Sequence, residues 1–140
     1  VKRAPYDKGN TSEAIVMAAY SEAGFTVSTP FGTGAPYDLI VDIGSRLCKI
    51  QVKRGWLRKG CVIYRGKRRM KEAHSYATRP YTESEVDYFA IYYPAMDSIY
   101  VVPFQACDGD GCLRLDPVHN GQQKLIRWAK DFTWENILKS

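Results

Sequence analysis

Residues 48–53 alternate strictly, with Cys48, Ile50 and Val52 on one side and Lys49, Gln51 and Lys53 on the other. A period of two is the repeat of a β-strand with one buried face, and no helix satisfies it. The alternation sits inside a longer strand-like run, residues 46–54 (RLCKIQVKR). Residues 37–43 (YDLIVDI) precede it with polar positions at Asp38 and Asp42, and Gly44-Ser45 between the two runs supplies a turn. The pair predicts a β-hairpin, and the remainder of the chain must pack around the sheet it belongs to.

The neighbouring segments fit that frame. Residues 1–9 are polar and predict a flexible arm. Asn10 then offers a helix N-cap with Glu13 three residues later, as in a capping box. Ile15, Val16, Ala19, Tyr20 and Ala23 recur at helical spacing and Gly24 supplies a stop, so a helix is expected over 11–23. Residues 25–29 and 61–65 read as short strands, and 30–36 (PFGTGAP) as a loop. Residues 86–93 and 99–103 predict a second hairpin. Residues 66–82 are polar and basic with weak helical character, 122–130 predict a helix, and 132–138 a last short one. The order predicts one α/β domain around a mixed sheet. A length of 140 residues with 45% hydrophobic content suits a single core and excludes intrinsic disorder.

The net charge of +5 is unevenly placed. Between Ile43 and Lys71 stand eleven basic residues and no acidic one, which leaves nine basic against fifteen acidic residues elsewhere. A basic block interleaved with Trp56 and Tyr64 points to nucleic acid as the partner. No apolar run approaches the roughly 18 residues of a membrane span, so no membrane partner and a cytoplasmic location are expected. Of the four cysteines, Cys48 and Cys61 lie in strand-like runs and read as packed thiols. Cys107 and Cys112 flank Asp-Gly-Asp-Gly at a spacing loose for zinc. With Ala106 and Pro117 at its ends the run fails as a calcium loop, and a turn between strands fits better.

One polar set carries chemistry. Asp38 begins a strand, Gln51 and Lys53 share a face of the next, and Glu13 lies on the helix before both. Pairing across Gly44-Ser45 would bring Asp38 beside Gln51. Phosphodiester hydrolysis requires a divalent ion that stabilises charge on the phosphate and acidifies water. Magnesium favours oxygen donors, and Asp38, the Gln51 amide oxygen, the Val52 carbonyl and Glu13 are candidates. Lys53 could orient or deprotonate the water, or balance charge. Asp42 reads as a solvated strand residue, Asp87 as a structural one, and Tyr81, Tyr88, Tyr92 and Tyr93 as core or interface. His74 reads as a surface histidine and His119 as turn chemistry.

Pro36-Tyr37-Asp38, twelve residues, then Gln51-Val52-Lys53 resembles the PD-(D/E)XK nuclease signature. The helix with Glu13, the loop Phe31-Gly-Thr-Gly-Ala35, Val86-Asp-Tyr-Phe-Ala90 and Tyr100-Val-Val-Pro103 resemble more specifically the members associated with group I introns. In that group the Pro-Asp pair is often spread by one residue, and Gln can replace the acidic residue before X-Lys. The resemblance implies a restriction-endonuclease-like fold, a central mixed sheet flanked by helices. It further implies a magnesium-dependent endonuclease acting on double-stranded DNA, with Glu13, Asp38, Gln51 and Lys53 as the catalytic set.

DNA contacts are then expected from Lys49, Arg54, Arg58, Lys59, Arg65, Lys67, Arg68, Arg69 and Lys71. One site per chain and two strands to cut imply a homodimer or homotetramer. The 88–93 strand, Trp128 and Trp134 are candidate interface residues. A Holliday-junction resolvase, a DNA-binding relative that has lost cleavage and an RNA-binding protein are the alternatives.

Overall fold

A computed structural model describes residues 5–32, 34–71, 73–106, 110–116 and 126–135. Helix α1 spans Pro5–Glu22, so it starts well before the expected residue 11. Pro5 lacks the N–H that a first turn leaves unpaired, and Asp7 complements the helix dipole. Gly9 and Asn10 therefore lie within the helix, and Asn10 is not its cap. Residues 1–4 of the expected arm lie outside the described residues. Ser12, Val16 and Tyr20, one turn apart, form the buried stripe. The helix ends where predicted. Gly24 takes φ 95°, its N–H donates to the Ser21 carbonyl and the Phe25 N–H to Tyr20. That pair of bonds is a Schellman closure, and only glycine adopts its φ without strain.

Among the described residues ten strands follow: β1 (Thr26–Ser28), β2 (Leu39–Asp42), β3 (Leu47–Arg54), β4 (Trp56–Arg58), β5 (Cys61–Tyr64), β6 (Lys67–Lys71), β7 (Tyr76–Pro80), β8 (Tyr88–Tyr93), β9 (Ser98–Pro103) and β10 (Gly111–Arg114). The central sheet has the order β1-β2-β3-β8-β9, with β3 and β8 parallel and the other pairs antiparallel. Both predicted hairpins, β2–β3 and β8–β9, are present. The Asp42 carboxylate accepts the Gly44 N–H at 2.8 Å and closes the first turn.

Each face of this sheet has its own cover. Cys48, Ile50 and Val52 pack with Val16 and Tyr20 under α1. On the other face Phe89, Ile91, Tyr93 and Val102 pack with Val62, Tyr64 and Leu113 of a second sheet, ordered β10-β5-β4. The α/β class and mixed central sheet hold, but α1 is the one α-helix among the described residues, and strands cover the second face. That second core is close-packed: a Cβ on Gly111 would stand 2.0 Å from the Tyr64 ring. Cys48 and Cys61 are buried free thiols, as expected.

The connection from β3 to its parallel neighbour β8 carries seven of the eleven basic residues of the block. There the expected helical character over 66–82 gives way to a hairpin, β6–β7. Strand β4 was not foreseen, being short and fully exposed. In the predicted 122–130 helix, 122–125 lie outside the described residues, Trp128 bridges to Arg114, and Ala129–Phe132 form a 3-10 turn. That turn takes in Phe132, and residues 136–138 of the last predicted helix lie outside. Strand β8 is buried along its whole length, which removes it as an interface. Trp134 packs edge-on against Tyr20, with centroids 5.6 Å apart.

Candidate active site

The β2–β3 register pairs Leu39 with Ile50, so Asp38 falls opposite Gln51, just before β2 begins. Two bonds fix it there. The Asp38 N–H donates to the Ile50 carbonyl at 2.9 Å, and Asp38 Oδ2 accepts the Val52 N–H at 2.9 Å. The carboxylate is thus held against the Gln51-Val52-Lys53 backbone. Gln51 Nε2 donates to the Val52 carbonyl at 3.4 Å, which brings the Gln51 amide and that carbonyl to one point.

Glu13 reaches the same place from α1. More than two turns into the helix, it cannot act in a capping box. It lines a cleft of about 200 Å³ with Asp38, Tyr37, Thr29, Pro30 and the glycines Gly32 and Gly34. Burial and then the Asp38 charge raise the Glu13 carboxyl above its usual range. Burial raises Asp38 as well, against the opposing effects of the Val52 N–H and the Lys53 ammonium. Two half-buried carboxyls, both raised by burial and one of them also by the charge of the other, favour a bound proton or a cation between them.

Lys53 comes from the other side. Its Nζ donates to the Tyr81 hydroxyl at 3.1 Å and stands 5.1 Å from the ring centroid. Glu13, Gln51 and Lys53 therefore converge on the fourth expected residue, Asp38, whose field reaches both Glu13 and Lys53. The groups that could ligate are all oxygens: two carboxylates, the Val52 carbonyl and, with the amide turned so that Oε1 takes the place of Nε2, Gln51. That set fits a hard divalent cation and not a soft one. Among the described residues no three of His, Cys, Asp and Glu converge anywhere, because neutral oxygens make up half of this set.

The model of the PD-(D/E)XK endonuclease family matches residues 4–135. The chain belongs to that family. A solved structure titled "The structure of a bacterial homing endonuclease: I-Ssp6803I" superposes with a TM-score of 0.76 at 22% identity, covering 98% of this chain and 95% of that one. A search of curated proteins returned no match. This PD-(D/E)XK chain is thus an endonuclease with a restriction-endonuclease-like fold, and no described helix is long and apolar enough to cross a membrane.

The residues expected to contact DNA divide into two groups. Lys49, Arg54 and Arg68 of this nuclease are engaged within the fold. Lys49 Nζ donates to the Ser84 carbonyl, and Arg54 Nη1 bonds Ser12 Oγ at 3.1 Å and the Lys8 carbonyl at 3.3 Å. Arg68 pairs with Glu85 at 3.1 Å and donates to the Gly34 carbonyl at 2.6 Å. Arg58, Lys59, Arg65, Lys67 and Arg69 are exposed, with Arg69 stacked 3.8 Å from the Tyr76 ring centroid. Lys71 ends β6.

Asp42 is exposed, as expected of a solvated strand residue, and Asp87 accepts the Lys49 N–H at 2.7 Å, a structural bond as read. Cys107 and His119 lie outside the described residues, and His74 is exposed. Sequence reasoning assigned Tyr81 to core or interface, passed over Glu85 and saw nothing in Ser12. Tyr81 and Ser12 act across long sequence gaps, to Lys53 and Arg54, so no local spacing signals them, whereas Glu85 bonds chiefly to its near neighbours Arg79 and Thr82.

Proposed function

We propose that this endonuclease is magnesium-dependent and cuts double-stranded DNA at a specific site, as homing-type enzymes do. The observation that carries the reading is the meeting of Glu13, Lys53 and the Gln51-Val52 backbone on one half-buried carboxylate, Asp38. Glu13, Asp38, the Gln51 amide oxygen and the Val52 carbonyl would hold the ion. When bound, it supplies positive charge against the scissile phosphate and lowers the pKa of adjacent water. Asp38 is oriented for this by the Val52 N–H, so it does not reorganise. Lys53 orients the attacking water and balances charge on the phosphate through Nζ. The glycine loop keeps side-chain bulk out of the cleft, with Gly32 at φ 85° and Gly34 at φ 92°.

The exposed cations on β4–β6 supply the phosphate contacts, which fix the duplex without reading it. One site per chain cuts one strand, so the working unit is a homodimer or homotetramer. The test is incubation with magnesium and three substrates: a duplex library, a four-way junction and single-stranded RNA. Discrete duplex cuts, lost in EDTA, are expected. Cuts confined to the junction would make it a resolvase. Binding to duplex without cutting would make it an inactive relative.

A further inference from the structure

Lysine is a point charge on a flexible four-carbon stem, and it acts at a defined atom only when something holds it. Tyr81 is well placed to do so. Its side chain is 7% exposed, and its ring stands edge-on to Phe89 with centroids 5.4 Å apart. Phe89 is the β8 partner of Gln51, so the ring rests on the strand beside the catalytic one. Its hydroxyl meets Lys53 Nζ at 3.1 Å. Burial, followed by the Asp38 charge, pushes that hydroxyl up to about 12, so it stays a neutral group able to accept from an ammonium or donate to an amine.

Tyr81 is itself fixed from both sides by one carboxylate. Glu85 takes two bonds from Arg79, at 2.9 and 2.7 Å, two residues before Tyr81. It takes two more from Thr82, one residue after, through the N–H at 2.9 Å and Oγ1 at 3.0 Å. Arg68, the cross-strand partner of Arg79, adds a fifth and extends to the Gly34 carbonyl in the loop that lines the cleft. Glu85 thereby gathers the basic hairpin, the glycine loop and the segment bearing Tyr81 into one clasp.

We propose that Tyr81 is a positioning residue for the catalytic Lys53, and that the Glu85 clasp couples its placement to the docking of the β6–β7 hairpin. The role rests on the nuclease reading above. It differs from core packing because the hydroxyl, not the ring, is the working part. DNA seated on the hairpin would act on Lys53 through the same clasp.

Tyr81→Phe keeps the ring and removes the hydroxyl. In metal-free protein, the Lys53 ε-methylene protons observed by NMR should be distinct and motionally restricted in the wild type. In the variant they should become degenerate and mobile, with backbone shifts elsewhere unchanged. With magnesium and duplex, the single-turnover rate should fall about tenfold to a hundredfold, the effect of one charge-assisted hydrogen bond, while the DNA Kd stays within about twofold. Glu85→Gln should mobilise Lys53 in the same way and serves if the first variant misfolds. An unchanged Lys53 signal in both variants would overturn the proposal. So would a rate loss matched by the loss in Kd. If the wild type cuts no substrate, the nuclease reading fails and the NMR comparison still decides whether Tyr81 holds Lys53.

Discussion

Asp38 lies between a like charge and an opposite one. Glu13 and Asp38 are both raised from their ordinary ranges, burial being the larger cause for each. In the window above those ranges the folded chain binds more protons than the unfolded one, so this pair costs stability as pH rises through it. Asp38→Asn removes the charge yet keeps an oxygen to accept the Val52 N–H. Without divalent metal the variant should melt a few degrees above wild type at neutral pH. The gap should close as pH falls below the carboxylate range. Added magnesium should raise the wild-type Tm and leave the variant unmoved. Differential scanning calorimetry in EDTA and in magnesium reads both effects.

The Asp38/Gln51/Lys53 set was legible because a period of two and a Gly-Ser turn leave one register, and that register decides which polar groups meet. The set's environment was not legible. Glu13 looked like half of a capping box because Asn10 precedes it at the right spacing. Local chemistry lost to packing there, since burying Ser12, Val16 and Tyr20 and binding Arg54 to Ser12 outweigh a glycine inside the helix.

At the scale of elements, the β6–β7 hairpin has no apolar face of its own. Lys67, Arg68, Arg69 and Lys71 present no strand pattern in sequence, which is why 66–82 misled. The hairpin exists through cross-strand pairing and through Glu85, held well below the ordinary carboxylate range chiefly by Arg79. A carboxyl so lowered contributes stability above its unfolded pKa and loses it as pH falls. Glu85→Gln should therefore release the hairpin locally. Its amides should exchange about tenfold faster or more, the equivalent of one missing charge-assisted hydrogen bond, while amides of β3 and β8 keep their protection. Hydrogen exchange followed by mass spectrometry resolves the two regions. The central hairpins, by contrast, carry their own apolar alternation, and they were foreseen.

For the whole molecule, charge placement matters more than net charge. Seven of the eleven basic residues lie in the connection between two parallel central strands, the other four lie on β3 or just before it, and the fold then sorts them. Arg54 ties α1 to the sheet and Arg68 ties the hairpin to the glycine loop, so neither is free for phosphate. Arg58, Lys59, Arg65, Lys67 and Arg69 are exposed. Replacing any of these five with alanine should reduce the slope of log Kd against log salt by about 0.9 for each phosphate no longer neutralised, with little change in Tm. Arg54→Ala should do the reverse, lowering Tm and sparing the slope. Fluorescence anisotropy across a salt series, paired with thermal melts, separates the two groups.

On the function proposed above, Asp38, with Glu13, the Gln51-Val52 oxygens and Lys53, performs phosphodiester cleavage. Its most direct measurement is the single-turnover rate on duplex DNA, with magnesium and saturating protein, for wild type, Asp38→Asn and Lys53→Ala. Both variants should bind the duplex with nearly wild-type affinity and fail to cut it. Cutting at the wild-type rate by either would contradict the assignment.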